Sequence, residues 1–196
     1  MNAIKIIITE QGKTEIARLQ FDIISAINKI IAYVPKPDLI NISHIFITDL
    51  PLEMKEKSAP THAAYFAKFN RKPAYIEVYL KNVFLHIKSA ESFSSMLPIQ
   101  EYGLAISIFH EIGHHVRVNR THNIGKDRSE KYAELYAKKL ERQYIIKNAS
   151  NINICLENLH IMAQQGKLSS EIVRKMKEGW QKKYKEIISE LEEHNT

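Results

Sequence analysis

In the first 80 residues, apolar positions fall into short runs that turn residues separate. Such runs cover residues 3–9, residues 42–48, and both sides of the turn-rich tetrapeptide at residues 70–73. β-Branched and aromatic residues dominate them, so each run predicts a strand, and the last two predict a β-hairpin. Over residues 14–34, apolar side chains recur close to every 3.6 residues, which predicts an amphipathic helix that Pro35 ends.

From residue 82 onward the hydrophobic pattern is helical. It predicts a helix over residues 82–95 and a second over residues 99–119, with Pro98 suited to its first turn. Further helices are predicted over residues 127–147, from residue 151, and from a cap at Ser169 or Ser170 to about residue 193. Strands followed by helices predict an α+β fold, with a small N-terminal mixed sheet and a helical C-terminal half.

The predicted helix at 99–119 carries the sequence Phe-His-Glu-Ile-Gly-His-His at residues 109–115. Positions i and i+4 share one helix face, so His110 and His114 can bind the same metal ion. Glu111 projects beside that ion, where a general base can act on a metal-bound water. Imidazole and carboxylate are ligands that zinc favours. Gly113 costs about 1 kcal/mol inside a helix, which indicates close approach by another backbone or a ligand.

A catalytic zinc site needs a third protein ligand. The extended pattern with a third histidine fails, because Arg120 stands at that position, although His122 in the following loop remains possible. The better candidates are Glu130 and Glu134, one turn apart on the predicted helix at 127–147, where neighbouring alanines allow close helix packing. One glutamate can bind the ion while the other accepts a proton from a ligand histidine.

His-Glu-x-Gly-His-His followed by Glu-x-x-Ala-Glu-x-Tyr-Ala resembles the gluzincin metallopeptidases, particularly the minigluzincins and ImmA-type peptidases. Their second motif reads Glu-x-x-Ala-Asp/Asn-x-aromatic-Ala, and the resemblance covers residues 98–144. It implies a zincin-like metallopeptidase domain over residues 1–148, with Zn²⁺ bound by His110, His114 and Glu130. Glu134 stands where the family has Asp or Asn, and the resemblance implies that it supports a ligand histidine. Residues 149–196 are expected to form a helical extension packed on the same domain.

Composition places the chain among ordinary globular proteins, with 44% hydrophobic and 26% charged residues among 196. The single cysteine, Cys155, excludes an internal disulfide and is consistent with a reducing compartment. We expect no signal peptide and no membrane span, hence a cytoplasmic protein. The net charge of +6 includes an excess between residues 117 and 147, where nine basic residues accompany four acidic ones. We interpret that excess as a solvated surface.

The sequence thus predicts a zinc-dependent metallopeptidase in which Glu111 is the general base. The expected partner is a peptide or protein substrate, and neither a membrane nor a nucleic acid is expected to bind. Two alternatives stay open, a non-catalytic binding protein on a peptidase fold and a basic nucleic-acid-binding protein. The donor for the oxyanion also stays open among Tyr102, His122, Tyr132, Tyr144 and His160. The sequence leaves the oligomeric state undetermined.

Overall fold

The sheet is mixed and has four strands in the residues that the computed structural model describes, which are 4–50, 61–70, 72–85, 87, 89–120 and 126–193. The strands are β1 (Lys5–Ile8), β2 (Ile42–Thr48), β3 (Ala63–Phe66) and β4 (Ala74–Tyr79), in the order β1-β2-β4-β3. β1 pairs with β2 and β2 with β4 in parallel, whereas β3 and β4 form an antiparallel hairpin. β3 is therefore an edge strand and β4 lies inside the sheet.

Seven α-helices accompany this sheet in the described part of the chain, so the predicted α+β class is confirmed. They are α1 (Glu10–Leu19), α2 (Ile23–Ile31), α3 (Leu80–Val83), α4 (Ala90–Ser95), α5 (Leu97–Arg120), α6 (Lys126–Gln164) and α7 (Ser170–Glu193). A 3₁₀ helix spans Lys36–Leu39, where Pro35 and Pro37 follow α2. None of the described helices combines the length and apolar character needed to cross a membrane.

One face of the sheet packs on the helices. The alternation along each strand turns Ile45, Ile47, Ile76 and Val78 to that side, and all four are fully buried. They share one hydrophobic core with Ile23, Ile27 and Ile30 of α2 and with Leu104, Ile108 and Ile112 of α5. α5 therefore packs on the sheet with the side that the spacing of its apolar residues predicts. The other side of the helix can carry the predicted metal ligands.

The prediction of a single helix over residues 14–34 is wrong, because the structure has two helices there. Gln20 adopts a left-handed backbone conformation with φ of 52°, which ends α1, and the Asp22 side chain accepts a hydrogen bond from the Ser25 amide to begin α2. Gly12, which precedes the predicted start of the single helix, lies inside α1. A Cβ at this position would lie 2.4 Å from the carbonyl oxygen of Ile47, so glycine lets α1 sit directly on β2.

Two further helix predictions need correction. The single helix predicted at residues 82–95 is two short helices, α3 and α4, and the second begins where the Ser89 side chain caps the Ser92 amide. Conversely, the two helices predicted on either side of residue 148 form the single 39-residue helix α6. The helix is continuous through residue 148, the boundary predicted between the domain and its extension, because no proline or glycine interrupts residues 126–164.

The C-terminal helices pack on α5 and on each other. Ile145, Ile152 and Leu156 of α6 form a second hydrophobic cluster with Trp180 and Ile187 of α7, and partly buried Ile99 and Tyr102 of α5 pack against it. The Ser169 hydroxyl accepts a hydrogen bond from the Ile172 amide at the start of α7, as one of the two predicted caps. Cys155 is buried in a third cluster, between Leu159 and Val173.

Two contacts fix the position of α6 relative to α5. At Gly113 a Cβ would lie 2.7 Å from Cα and 2.9 Å from the carbonyl oxygen of Ala133, so the two helix backbones touch there. The buried Asp38 carboxylate accepts hydrogen bonds from the Arg120 guanidinium at 2.5 Å and from the Tyr136 hydroxyl at 2.8 Å. Asp38 thereby connects the 3₁₀ helix to both α5 and α6. The close approach predicted from Gly113 is that of a neighbouring helix.

Candidate metal centre

Three predicted ligands converge at the crossing of α5 and α6. His110 and His114 lie one turn apart on α5, and their Nε2 atoms are 3.1 Å apart. The Oε2 atom of Glu130 on α6 lies 3.4 Å from His110 Nε2 and 3.6 Å from His114 Nε2. These three residues form a group whose donor atoms all lie within 4.8 Å of one another. The donors come from two helices that meet because Gly113 and Ala133 lie between them.

The spacing of the donors fits a zinc ion. Zinc binds histidine nitrogen and carboxylate oxygen at about 2.0–2.2 Å, so donors at the corners of a tetrahedron lie about 3.3–3.6 Å apart. The two distances from Glu130, 3.4 and 3.6 Å, lie in this range, and the 3.1 Å between the two histidine nitrogens is slightly shorter. Two imidazoles and one carboxylate are also the donor set of a catalytic zinc site. Glu130 keeps 50% of its side chain exposed, so the group opens to solvent on the α6 side.

The second ring nitrogen of His114 has a hydrogen-bond partner that the sequence motifs did not predict. His114 Nδ1 lies 3.1 Å from the Ser129 hydroxyl oxygen, on the residue immediately before Glu130. When Nδ1–H donates to that oxygen, Nε2 keeps its lone pair and faces the other two donors. With the hydrogen bond in this direction, Ser129 supports the tautomer that can bind a metal. Burial lowers the pKa of His114, which also favours the neutral ring, while Glu130 acts in the opposite direction.

Glu134, predicted to support a ligand histidine, is exposed on α6 one turn after Glu130. It does not belong to the group formed by the three ligands among the described residues. The second ring nitrogen of His114 has its hydrogen bond with Ser129. The supporting role of Glu134 stays a prediction, and His122, the other candidate ligand, lies outside the described residues.

Glu111 lies beside the ligands and is largely buried, with 8% of its surface exposed. Burial raises the pKa of its carboxyl group to about 8, the Tyr65 backbone amide opposes this by hydrogen bonding, and Glu130 adds to the increase. A carboxylate destabilised by burial is a stronger base than an exposed one. Glu111 is thus a largely buried carboxyl next to the two histidines on α5, and its role as the general base stays a prediction.

An open cleft of about 650 Å³ contains these groups. Its walls come from α5, from the start of α6 and from the edge strand β3. The lining residues include Ala63, Ala64, Tyr65, His110, Glu111, His114, Arg117, Ser129 and Glu130. Arg117, one turn beyond His114, has 9% of its surface exposed and brings a positive charge to the cleft. No motif in the sequence predicts a role for Arg117 in the cleft.

The edge strand β3 is attached to the motif helix through His115. This ring is buried, with Nδ1 3.1 Å from the Tyr65 hydroxyl and Nε2 2.8 Å from the Ile40 carbonyl oxygen. A neutral ring satisfies both partners when Nε2–H donates to Ile40 and Nδ1 accepts from Tyr65. Burial lowers the pKa of His115, which favours that neutral form. His115 is therefore a packing residue that holds β3 beside the cleft.

Three of the five residues considered as oxyanion donors lie away from the described part of the cleft. The Tyr102 hydroxyl donates to Glu141 at 2.5 Å, and Tyr144 is buried in the main core. His160 lies near the distal end of α6, where its Nε2 atom is 3.2 Å from Gln164. Tyr132 is partly buried against the main core.

Comparison of the chain with protein-family models, with curated proteins and with solved structures gave no match. The resemblance to gluzincins therefore stays a prediction from two motifs. The geometry of the candidate metal centre is an independent observation, because the distances between the donor atoms do not depend on it.

Proposed function

We propose that this protein is a zinc-dependent metallopeptidase of the gluzincin type, with a zincin-like fold over residues 1–148. The observation that carries the proposal is the convergence of His110, His114 and Glu130 at distances suited to one zinc ion. The burial of Glu111 beside them and the open cleft in front of them support it further. The ligands are the residues that the two sequence motifs predict.

Zinc, when bound, lowers the pKa of a coordinated water toward neutrality and polarises a carbonyl oxygen. Glu111 takes a proton from the attacking water as the oxygen of that water bonds to the carbonyl carbon of the substrate. The same carboxyl then gives the proton to the amide nitrogen as the carbon–nitrogen bond breaks. Its low exposure keeps the carboxyl from being fully solvated, so that proton transfer near neutral pH is favourable.

The exposed edge of β3 favours an extended peptide as the substrate. The Tyr79 amide donates to the His62 carbonyl oxygen at 2.9 Å, so residues 62 and 79 form a hydrogen-bonded pair. Alternation in an antiparallel ladder then directs the backbone groups of Ala63 and Tyr65 away from β4. The contact of the Tyr65 amide with Glu111 agrees with this direction. A peptide that adds to β3 as a further strand would lie along the cleft.

Metal analysis tests the ligand assignment. We expect one zinc per chain in protein produced with zinc present, and loss of that zinc in His110→Ala. Glu130→Ala should weaken zinc binding far more than Glu134→Ala. His160→Ala is a matched control, because this histidine is exposed and distant from the site, and it should keep full metal content. Wild-type protein without stoichiometric zinc would rule out the proposal.

Cleavage of a peptide library, read by mass spectrometry, tests the role of Glu111. Glu111→Gln removes the base while keeping a side chain of similar size, so it should retain zinc and lose cleavage by about 10²-fold or more. Full cleavage by this variant would exclude Glu111 as the base. Zinc binding without cleavage of any library peptide by the wild type would favour the non-catalytic alternative.

A further inference from the structure

The outer face of the sheet, opposite the core residues Ile45, Ile47, Ile76 and Val78, carries several partly exposed or exposed aromatic side chains. Register pairs Lys5 with His44, His44 with Tyr75, and Tyr75 with Phe66, so one cross-strand row reaches all four strands. We call these four residues the outer row. A sheet with one buried face normally has polar side chains on the other. Here three of the four residues in the row have rings.

The rings of the outer face form a continuous array. Phe66 stacks on Tyr75 with centroids 4.7 Å apart and planes 10° apart, and Phe46 meets Tyr75 edge-on at 5.4 Å. His44 stacks on Phe46 at 5.6 Å. In the described chain, Phe46, Phe66 and Tyr75 belong to none of the three hydrophobic clusters. Exposed apolar patches of this kind mark binding surfaces more often than scattered apolar residues do.

The β3–β4 hairpin extends this surface and adds positive charge. Phe69 in the hairpin is 72% exposed, and Lys68 and Lys72 on either side of it are exposed as well. Lys5 supplies an exposed cation at the opposite end of the outer row. No acidic residue occurs from position 61 to position 76 of the sequence. Among the described strands, the outer face carries one acidic side chain, Glu77. Its carboxylate accepts a hydrogen bond from the Tyr79 hydroxyl at 2.9 Å.

We propose that the outer face of the sheet, together with the β3–β4 hairpin, binds single-stranded nucleic acid. Its bases stack on Phe66, Phe69 and Tyr75, and its phosphates pair with Lys5, Lys68 and Lys72. Four-stranded sheets that bind single-stranded RNA stack about two or three bases on aromatic side chains in this way. An apolar protein surface could also pack on these rings, but it would not explain why lysines lie at both ends of the row. A polyanion with flat rings matches both features.

This surface differs from the basic segment at residues 117–147, whose charge we interpreted as a solvated surface. It also lies on the side of the sheet opposite the proposed zinc ligands, which are residues of α5 and α6. The proposal therefore stands independently of peptidase activity. It can be tested with the full chain in the presence of a zinc chelator.

Fluorescence anisotropy with a labelled thymidine oligonucleotide of about 12 nucleotides, within the usual site sizes of about 4–16, measures the binding. We expect micromolar affinity at low salt and weaker binding to a duplex of the same length, since paired bases cannot stack on the rings. Contact with three lysines predicts a slope of about −2 for log K against log salt concentration. Replacing Lys68 and Lys72 by glutamine should reduce the slope to about −0.7.

The ring variant Phe66→Ala with Phe69→Ala should weaken binding by about tenfold or more, because each base stacked on an aromatic side chain contributes about 1–3 kcal/mol. Leu135→Ala with Ile146→Ala is the matched apolar control, since both residues are exposed on α6. Lys138→Gln with Lys139→Gln is the matched charge control, also on α6. Both controls should bind like the wild type. All changed residues are exposed, and circular dichroism verifies folding.

Four results would overturn the proposal. They are no binding to the single strand at low salt, equal affinity for the duplex, wild-type affinity in the ring variant, and loss of binding in the Lys138 and Lys139 control. Analytical ultracentrifugation tests the competing occupant. A concentration-dependent dimer that the ring variant abolishes would show that the outer face joins two copies of this chain.

Discussion

Replacement of Gly113 by alanine tests the contact that places Glu130 beside the two histidines. The added Cβ would lie 2.7 Å from Ala133 Cα and 2.9 Å from its carbonyl oxygen, both backbone atoms that a side-chain rotation cannot move. Ordinary contact begins at 3.4 Å, so α5 and α6 must separate by about 0.7 Å at this point. Donor distances in a metal site tolerate deviations of about 0.2 Å. We expect zinc affinity to fall on the order of 10- to 100-fold, as when a residue supporting a ligand is lost.

The effect of the same change on stability has two opposing parts. Alanine is favoured over glycine inside a helix by about 1 kcal/mol. Forcing extra volume into a packed contact costs about 1–3 kcal/mol. Gly103 is the matched control, because it lies in the same helix and a Cβ there would meet no atom within 4 Å. Gly103→Ala should stabilise the protein by about 1 kcal/mol, so the difference between the two variants isolates the contact at about 1–3 kcal/mol.

Urea unfolding in the presence of a chelator gives the two free energies, and competition with a chromophoric chelator gives the zinc affinities. Gly103→Ala should bind zinc like the wild type. Should Gly113→Ala match the stability gain of Gly103→Ala and keep wild-type zinc affinity, the helices would not be in contact there. The reasoning about the position of Glu130 would then fail.

Two further predictions concern side chains that support the site. Ser129→Ala removes the acceptor for His114 Nδ1, so zinc affinity should fall by about tenfold in the same competition assay, and an unchanged affinity would show that the tautomer is set otherwise. Asp38→Ala removes the buried acceptor of Arg120 and should lower the free energy of unfolding by about 1–3 kcal/mol. Asp49→Ala, at a more exposed ion pair, should cost about 1 kcal/mol or less, and equal losses would contradict the importance of burial.

Local patterns predicted the strands and the motif helix well. β2 begins and ends where the run of isoleucine and phenylalanine does, and α5 begins one residue before Pro98. The errors lie at helix boundaries. The break between α1 and α2 depends on Gln20 in a left-handed conformation, which residues other than glycine and asparagine adopt too rarely to be predicted. The break predicted at residue 148 does not occur, because α6 continues through it and α7 joins α5 as a packing partner of its second half.

The three residues of the candidate metal centre could be predicted, because helix periodicity alone places His110 beside His114 and the second motif specifies Glu130. The supporting contacts could not. Ser129 reaches His114 only through the angle at which α5 and α6 cross, and the Tyr65 amide reaches Glu111 only because β3 is the edge of the sheet. Both contacts join segments more than ten residues apart in sequence. Glu134, whose spacing suggested a supporting role, is exposed on α6, and that role stays a prediction.

The proposed ligands belong to two helices, α5 and α6, so a bound ion would also affect the stability of the fold. Two of its bonds would end on one helix and the third on another, so the ion would act as a crosslink that closes the chain between His114 and Glu130. Binding to the folded chain alone stabilises it by about 4.1 kcal/mol when free zinc exceeds Kd a thousandfold. Such an amount is comparable to the whole stability of many domains, about 5–15 kcal/mol. Zinc supply would then control the lifetime of the folded chain as well as its chemistry.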